Sequence, residues 1–288
     1  MVLQFDKVDK SYGKNHALDH FSATLTPGIY ALMGPNGAGK TTLMNILTDN
    51  LSADSGEIRY DGEDIRKLGK KFREKLGFMP QFPGMYPNYT VEGFLWYIAS
   101  LKDINRDDAE KQIKEALETV ELADIPKRRI SELSGGMKQR LALAQALIGD
   151  PEIIILDEPT AGLDPKRRIS VRNYLAGISL KKIIIIATHV VSDIENIAKE
   201  AIFLKKGVIT DFGPPHQLAA KINGCVWEVK CNVNELDSMQ SKFDVINISQ
   251  NNNLLLLRIL ADEAPTDEAI SVEPTLEDYY LRVFGERQ

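Results

Sequence analysis

The sequence predicts an α/β fold, a mainly parallel sheet flanked by helices, followed by a small α+β appendage. Three observations predict it. Between residues 29 and 204, short wholly apolar runs alternate with segments of helical spacing, as buried parallel strands and their crossover helices do. A glycine-rich turn at 34–39 joins one such run to a helix. The charge balance also breaks near residue 216: positions 1–216 carry 29 basic and 29 acidic residues, whereas 217–288 carry 6 against 12. With 43% hydrophobic and 26% charged residues, the 288-residue chain can bury a sizeable core. That excludes a disordered or collagen-like chain, and the net charge of −6 argues against a nucleic-acid-coating protein.

The elements follow in order. Residues 2–12 and 17–25 alternate apolar and polar side chains, the pattern of antiparallel strands with one wet face. Ile29–Met33 is a continuous apolar strand, Thr41–Asp49 has helical spacing, and Gly56–Gly62 reads as another strand. From about Pro83 to Ser131 the pattern is largely helical, and Leu133–Gly149 is a helix entered at Ser134 and stopped at Gly149-Asp150-Pro151. Strand Ile153–Leu156, a helix over 165–179, strand Ile183–Ala187, a helix over 190–200 and strand Ala201–Leu204 complete the alternation. After Gly213-Pro214-Pro215 the spacing predicts strand–helix–strand–strand, with a turn at Asn251–Asn253 and a closing helix over about 276–284. The expected domains are therefore 1–216, with a helical subdomain at about 83–149, and an acidic accessory domain at 217–288.

No apolar run approaches the roughly 18–20 residues that span a bilayer, and the N-terminus lacks a signal-peptide layout. The expectation is a soluble, cytoplasmic chain. Cys225 and Cys231 lie six residues apart on a predicted strand, about 20 Å in extended chain, so they are expected to stay reduced.

Gly34-Pro35-Asn36-Gly37-Ala38-Gly39-Lys40-Thr41 fits G-x-x-x-x-G-K-[ST] between a strand and a helix, the context that gives the motif its meaning. Glycines let backbone N–H groups curl around phosphate oxygens, and the helix start adds its positive dipole end. Lys40 would reach the β- and γ-phosphates of a nucleotide, and the Thr41 hydroxyl would bind Mg²⁺. Ile153–Leu156 then delivers two carboxylates at a strand end, where α/β sheets bind ligands. Asp157 is the candidate Mg²⁺ ligand, directly or through a water, and Glu158 the candidate base that polarises the attacking water.

Leu133-Ser134-Gly135-Gly136-Met137-Lys138-Gln139-Arg140 resembles the signature of ABC ATPases, usually LSGGQ followed by Arg; here Met137 stands at the Gln position. Physically it is an N-capping Ser and two glycines at a helix start, a second nest of N–H groups for an anion. Ser134 precedes Asp157 by 23 residues, room for one helix and a turn.

The resemblance covers about residues 1–216 and implies a P-loop NTPase of the ABC type, with an antiparallel β subdomain and a helical subdomain beside the main sheet. It assigns Gln81 to the loop that touches Mg²⁺ and water, Asp164 to a loop lying across a dimer interface, His189 to the γ-phosphate switch, Tyr12 to the adenine and Thr42 to the phosphates. In that family the phosphate loop and signature of one chain cannot close on the same ATP. The resemblance therefore implies head-to-tail pairing with a second copy or a similar ATPase, each ATP lying between Lys40 and Thr41 of one chain and Ser134, Gly135 and Gly136 of the other. It also implies ATP and Mg²⁺ as ligands, no nucleic acid, and docking on separate membrane-embedded transporter subunits at the cytoplasmic face. The stretch 83–131 is the docking candidate, with Phe94, Trp96 and Tyr97 either lining a groove or serving the core. Residues 272–285 are similar to the closing segment of ATPases in two-component exporters, so export is expected, with an importer ATPase the alternative. Ribosome- and chromosome-associated ABC proteins carry two cassettes or a long coiled coil, neither of which is present in this sequence.

Overall fold

The antiparallel pair expected at the N-terminus forms as β1 (Leu3–Tyr12) and β2 (Asn15–Leu25), Leu3 opposite Leu25. Gly13, at φ 61°, turns the hairpin, and the alternation places Phe5 edge-on against Phe21 inside. In the computed structural model, residues 1–251 and 254–285 are described, and the chain divides into the units Met1–Asp211 and Phe212–Gln288.

The first unit continues with β3 (Gly28–Met33), α1 (Lys40–Leu47), β4 (Ser55–Tyr60), β5 (Glu63–Asp64), α2 (Ile65–Leu68), α3 (Lys70–Glu74) and β6 (Leu76–Met79). Then come α4 (Val91–Leu101), α5 (Arg106–Thr119), α6 (Gly135–Leu147), β7 (Ile153–Asp157), α7 (Pro165–Ser179), β8 (Ile183–Ala187), β9 (Glu200–Lys205) and β10 (Val208–Gly213). One sheet has the order β2-β1-β4-β5; the other has the order β10-β9-β3-β8-β7-β6, with β9, β3, β8, β7 and β6 paired in parallel. The isoleucines of β7 and β8 are almost wholly buried, and each contributes about 1.5–3 kcal/mol by leaving water. Polar N-caps start the helices where the sequence supplies them: Thr90 for α4, Asn105 for α5, Ser134 for α6 and Asp164 for α7.

One expectation changes. The segment 190–200 has helical spacing but forms only a 3₁₀ turn at Val191–Asp193 and further turns. Val191 and Ile194 still reach the core, but the chain must arrive at β9 beside β3, where Lys199 N–H donates to the Ile29 carbonyl, and a full helix does not fit that path. Of the two roles open to Phe94, the core is the one it takes: it is 2% exposed and belongs to the interior of the helical region.

The second unit contains α8 (Pro215–Ala220), β11 (Val226–Cys231), α9 (Leu236–Lys242), β12 (Asp244–Asn251), β13 (Leu254–Leu260), β14 (Ile270–Ser271) and α10 (Leu276–Phe284). Its antiparallel sheet has the order β12-β13-β11-β14. Val229, Cys231, Leu257 and Ile259 form its core with Leu236, Met239 and Phe243. The Asn251–Asn253 turn lies largely outside the described residues, since Asn252 and Asn253 do. Both cysteines are free. Thr275 and Asp278 cap α10 reciprocally, and Arg258 donates to Asp278 at 2.6 Å.

Candidate active site

The C-terminal ends of four neighbouring strands lie level. Leu32 of β3 pairs with Ala187 of β8, Ala187 with Asp157 of β7, and Leu156 of β7 with Met79 of β6. The segments that leave those ends, beginning at Gly34, Thr188, Glu158 and Pro80, therefore emerge along one edge at about 4.8 Å per strand. Buried apolar strands do the positioning, and the polar residues follow each strand end immediately.

Gly39 is the left-handed N-cap that precedes α1, at φ 112°, and a Cβ there would stand 2.2 Å from the Ala17 carbonyl oxygen. Gly34, at φ 154°, is equally intolerant, because a Cβ would meet the Leu204 carbonyl oxygen at 2.2 Å. Pro35, Asn36 and Gly37 are exposed, whereas Ala38 is buried and donates its N–H to the Pro35 carbonyl at 3.2 Å. Lys40 Nζ donates to the carbonyls of Gly34 (2.5 Å) and Pro35 (3.0 Å). Burial lowers its pKa, and the carboxylates of Glu158 and Asp157 oppose that shift. Thr41 is exposed and Thr42 half-buried on the first turn of α1.

The Asp157 carboxyl is pushed up to about 6 by burial and then by Glu158, against the pull of Lys40. Glu158 is buried and sits at φ 52°, a left-handed conformation uncommon outside glycine. One carboxylate oxygen accepts the Thr188 hydroxyl at 2.9 Å; the other accepts the His189 N–H at 3.0 Å and lies 2.7 Å from His189 Nδ1. The His189 side chain is 73% exposed.

Ser134 accepts the Met137 N–H at 3.3 Å and caps α6. Ser134, Gly136 and Met137 line a cleft of about 390 Å³ with Gly162, Leu163, Asp164 and Arg167, and no phosphate-loop residue is among its lining. Asp164 caps α7, accepting the Arg167 N–H at 3.1 Å and pairing with its guanidinium. Those Arg167 bonds, the backbone one foremost, hold its carboxyl below the usual range. Gly135 is exposed at the mouth of the α6 helix start. Gln81 is exposed beyond β6, and Tyr12 is exposed at the end of β1 with Lys10 Nζ 5.9 Å from its ring centroid.

Two residues escaped the sequence reading. Thr188 shares the Glu158 carboxylate with His189, and its place between strand end and histidine was the available signal. Gln139 Nε2 donates to the Glu158 carbonyl at 2.6 Å across 19 residues of chain, a contact that no local pattern encodes.

The ABC transporter family profile matches residues 18–161. The chain is 36% identical over 226 residues to the Nod factor export ATP-binding protein I of Paraburkholderia xenovorans, covering 78% of this chain and 74% of that protein. It is 32% identical over 295 residues to the protein of the same name from Rhizobium etli, covering 99% and 93%. Among solved structures, a dimeric ATP-binding cassette in a post-hydrolysis state with ADP and Pi superposes with a TM-score of 0.67 at 27% identity, over 74% of this chain and 98% of that one. With a glycine-rich loop, an acidic strand end and a Ser-Gly-Gly helix start on that fold, the chain belongs to the ABC transporter ATP-binding family and is an ABC ATPase.

Proposed function

We propose that this chain is the ATP-hydrolysing motor of an exporter, closing head to tail with a second copy or a similar ATPase around two ATP molecules and driving separate membrane subunits. The observation that carries the reading is the level row of strand ends. It gives one chain a phosphate loop, two carboxylates and a histidine on one edge, while Ser134 and Gly136 line a cleft that has no phosphate-loop residue in its lining. A second chain must then supply the N–H groups that the first lacks at its γ-phosphate.

In this reading Gly34–Thr42 cradle the phosphates, Lys40 spreads its charge over the β- and γ-oxygens, and Tyr12 stacks on adenine. Glu158 orients the attacking water, His189 contacts the γ-phosphate, and Asp164 lies across the interface. The catalysis is positioning and charge stabilisation without a covalent intermediate. Thr41, Gln81 and Asp157 are the residues that would hold Mg²⁺. The fit is good: all three offer hard oxygen donors, and the Asp157 carboxylate, ionised reluctantly beside Glu158, gains most from a cation. Held by these residues, the cation would supply charge neutralisation to the nucleotide's phosphates.

The cassette is taken as residues 1–216 with its helical subdomain at about 83–149, and 217–288 as an accessory domain. Among the described residues no helix is long and apolar enough to cross a membrane, which suits a motor docked peripherally on the cytoplasmic face of membrane subunits. Tyr86, Tyr89 and Tyr97 meet at centroid distances of 5.4–5.7 Å, and Phe82 is 85% exposed nearby in sequence; these aromatics, with Trp96, support docking in this region. Export is favoured over import by the name of the Rhizobium etli relative, whose match runs through the tail.

The test is Glu158→Gln. Turnover is expected to fall by a factor on the order of 10²–10³ while ATP converts the chain to a stable dimer on gel filtration. Unchanged turnover removes Glu158 from its role, and a monomer at saturating ATP removes the sandwich.

A further inference from the structure

We propose that Gln139 is a positioning residue that couples the two nucleotide sites of the dimer, carrying the state of the Ser134–Gly136 turn to the main chain of Glu158. This rests on the head-to-tail reading above.

Gln139 lies on α6, five residues after the capping Ser134, and its amide Nε2 donates to the Glu158 carbonyl at 2.6 Å. That carbonyl also accepts the Ala161 N–H at 3.2 Å, and the Glu158 N–H donates to the Ala187 carbonyl at 2.8 Å. The main chain of Glu158 is thus clamped on one side by β8, an interior strand of a buried sheet, and on the other by the helix that begins at the signature. The far end of the same turn rests on that helix too: a Cβ on Gly136 would stand 3.2 Å from the Gly162 carbonyl oxygen. The turn from Glu158 to Gly162 therefore rides on the first two turns of α6.

In the sandwich, Ser134–Gly136 face the ATP held by the partner's phosphate loop, whereas Glu158 serves the ATP on its own chain. The Gln139 amide joins an element that reads one site to the residue that acts at the other. Glu158 is held at φ 52°, away from the conformations its backbone prefers, so the carbonyl bond is one of the restraints that keep its carboxylate aimed. A shift of α6 on engaging ATP pulls or releases that restraint.

The experiment measures steady-state ATPase activity against ATP concentration for the full chain, with nucleotide affinity from a fluorescent ATP analogue and Tm alongside. Gln139→Met keeps the length and removes the donor; Gln139→Glu keeps the length and replaces donor by acceptor; Gln139→Lys returns a donor of similar reach. The expected result for Met and Glu is a kcat about tenfold lower, the loss of one hydrogen bond acting in the transition state. The Hill coefficient for ATP falls to one from a wild-type value above one, affinity stays within about twofold, and Lys recovers most of both losses. An unchanged Hill coefficient in both donor-free variants, no recovery in Gln139→Lys, or a kcat loss matched by lost affinity or lowered Tm in both, overturns the proposal. Glu158→Gln in the same assay separates the two claims. If it traps the dimer while Gln139→Met behaves as wild type, only the Gln139 proposal fails. If the wild type has a Hill coefficient of one and no dimer is trapped, the sandwich itself fails.

Discussion

His189 Nδ1 lies 2.7 Å from a Glu158 carboxylate oxygen, and the His189 backbone N–H donates to that same oxygen at 3.0 Å. With the Thr188 hydroxyl on the other oxygen, two consecutive residues after β8 hold the carboxylate that follows β7. The side chains that the proposed chemistry assigns to water and γ-phosphate are thus tied to each other.

Removing the imidazole should therefore cost more than its own phosphate contact. His189→Ala is expected to lower kcat roughly 10–100-fold with little change in ATP affinity, whereas Thr188→Val, which leaves the His189 bonds intact, should cost about 3–10-fold. Steady-state kinetics paired with equilibrium nucleotide binding checks both. Equal losses in the two variants would show that the hydroxyl and the imidazole act only by holding Glu158.

Asp157 has an ordinary value of 3.8 and is raised to about 6, so between these values the folded chain holds a proton that the unfolded chain releases. Its contribution to stability is thus most favourable at the acid side of the window and declines as pH rises through 6. The Tm difference between wild type and Asp157→Asn, without nucleotide, should favour the wild type increasingly as pH falls from 7 to 5. Mg²⁺-dependent ATP binding should run the opposite way, weakening below about pH 6, and Asp157→Asn should need at least about tenfold more Mg²⁺ for half-maximal activity.

Lys102, the C-cap of α4, donates to the carbonyls of Leu76 (3.0 Å) and Ile148 (2.7 Å), and burial lowers its pKa to about 8. Between pH 8 and its ordinary 10.5 the unfolded chain binds the extra proton, so this lysine's contribution to stability improves as pH rises across that range. Relative to Lys102→Met, the wild type should gain on the order of 1–3 kcal/mol from pH 8 to 10.5 in urea unfolding. Parallel pH profiles would remove Lys102 as the titrating group.

In the second unit, Asp278 is buried, yet its carboxyl stays below the usual range. Burial pushes it up, but Arg258 and the Thr275 donors together outweigh that. Asp278→Ala takes the buried carboxylate from the Arg258 guanidinium, leaving it the Glu273 carbonyl and the Glu228 carboxylate at 3.5 Å, and removes half of the α10 capping box. The expected loss is about 3 kcal/mol, seen as faster proteolysis within residues 254–285, while ATP binding by the first unit is retained. Loss of ATP binding in that variant would mean that the first unit's site depends on an intact second unit.

Much of this was legible because the chemistry follows strand ends that are nearly pure hydrocarbon. Ile29–Met33, Ile153–Leu156 and Ile183–Ala187 declare themselves as buried strands, and the Gly34–Thr41, Asp157-Glu158 and His189 positions follow at once. Ser134 was readable as a cap because capping is local. What escaped is what depends on distant partners. Val190–Glu200 carries helical spacing that the route to β9 overrides, and for Phe94 the spacing left groove and core both open until its inward packing decided between them. Short elements such as β14, with two residues, have too little pattern to announce themselves. Gln139 sits inside a string that reads as a phosphate nest, and its amide turns out to face the chain behind that nest.

The identical isoleucines that make the central strands easy to find leave them without an address. Ile183, Ile184 and Ile185 stand against Ile153, Ile154 and Ile155, and sliding β8 by one position would still lay isoleucine on isoleucine over most of the overlap. The ends must do the proofreading. Lys182 anchors one end through Asp150 and the Pro151 carbonyl, both at 2.6 Å; the Ala187 carbonyl, accepting the Glu158 N–H, and the Thr188 and His189 donors to the Glu158 carboxylate anchor the other. The residues assigned to fuel-burning therefore also tell the core which way to settle, and a chain stripped of them should mis-thread more often while it folds.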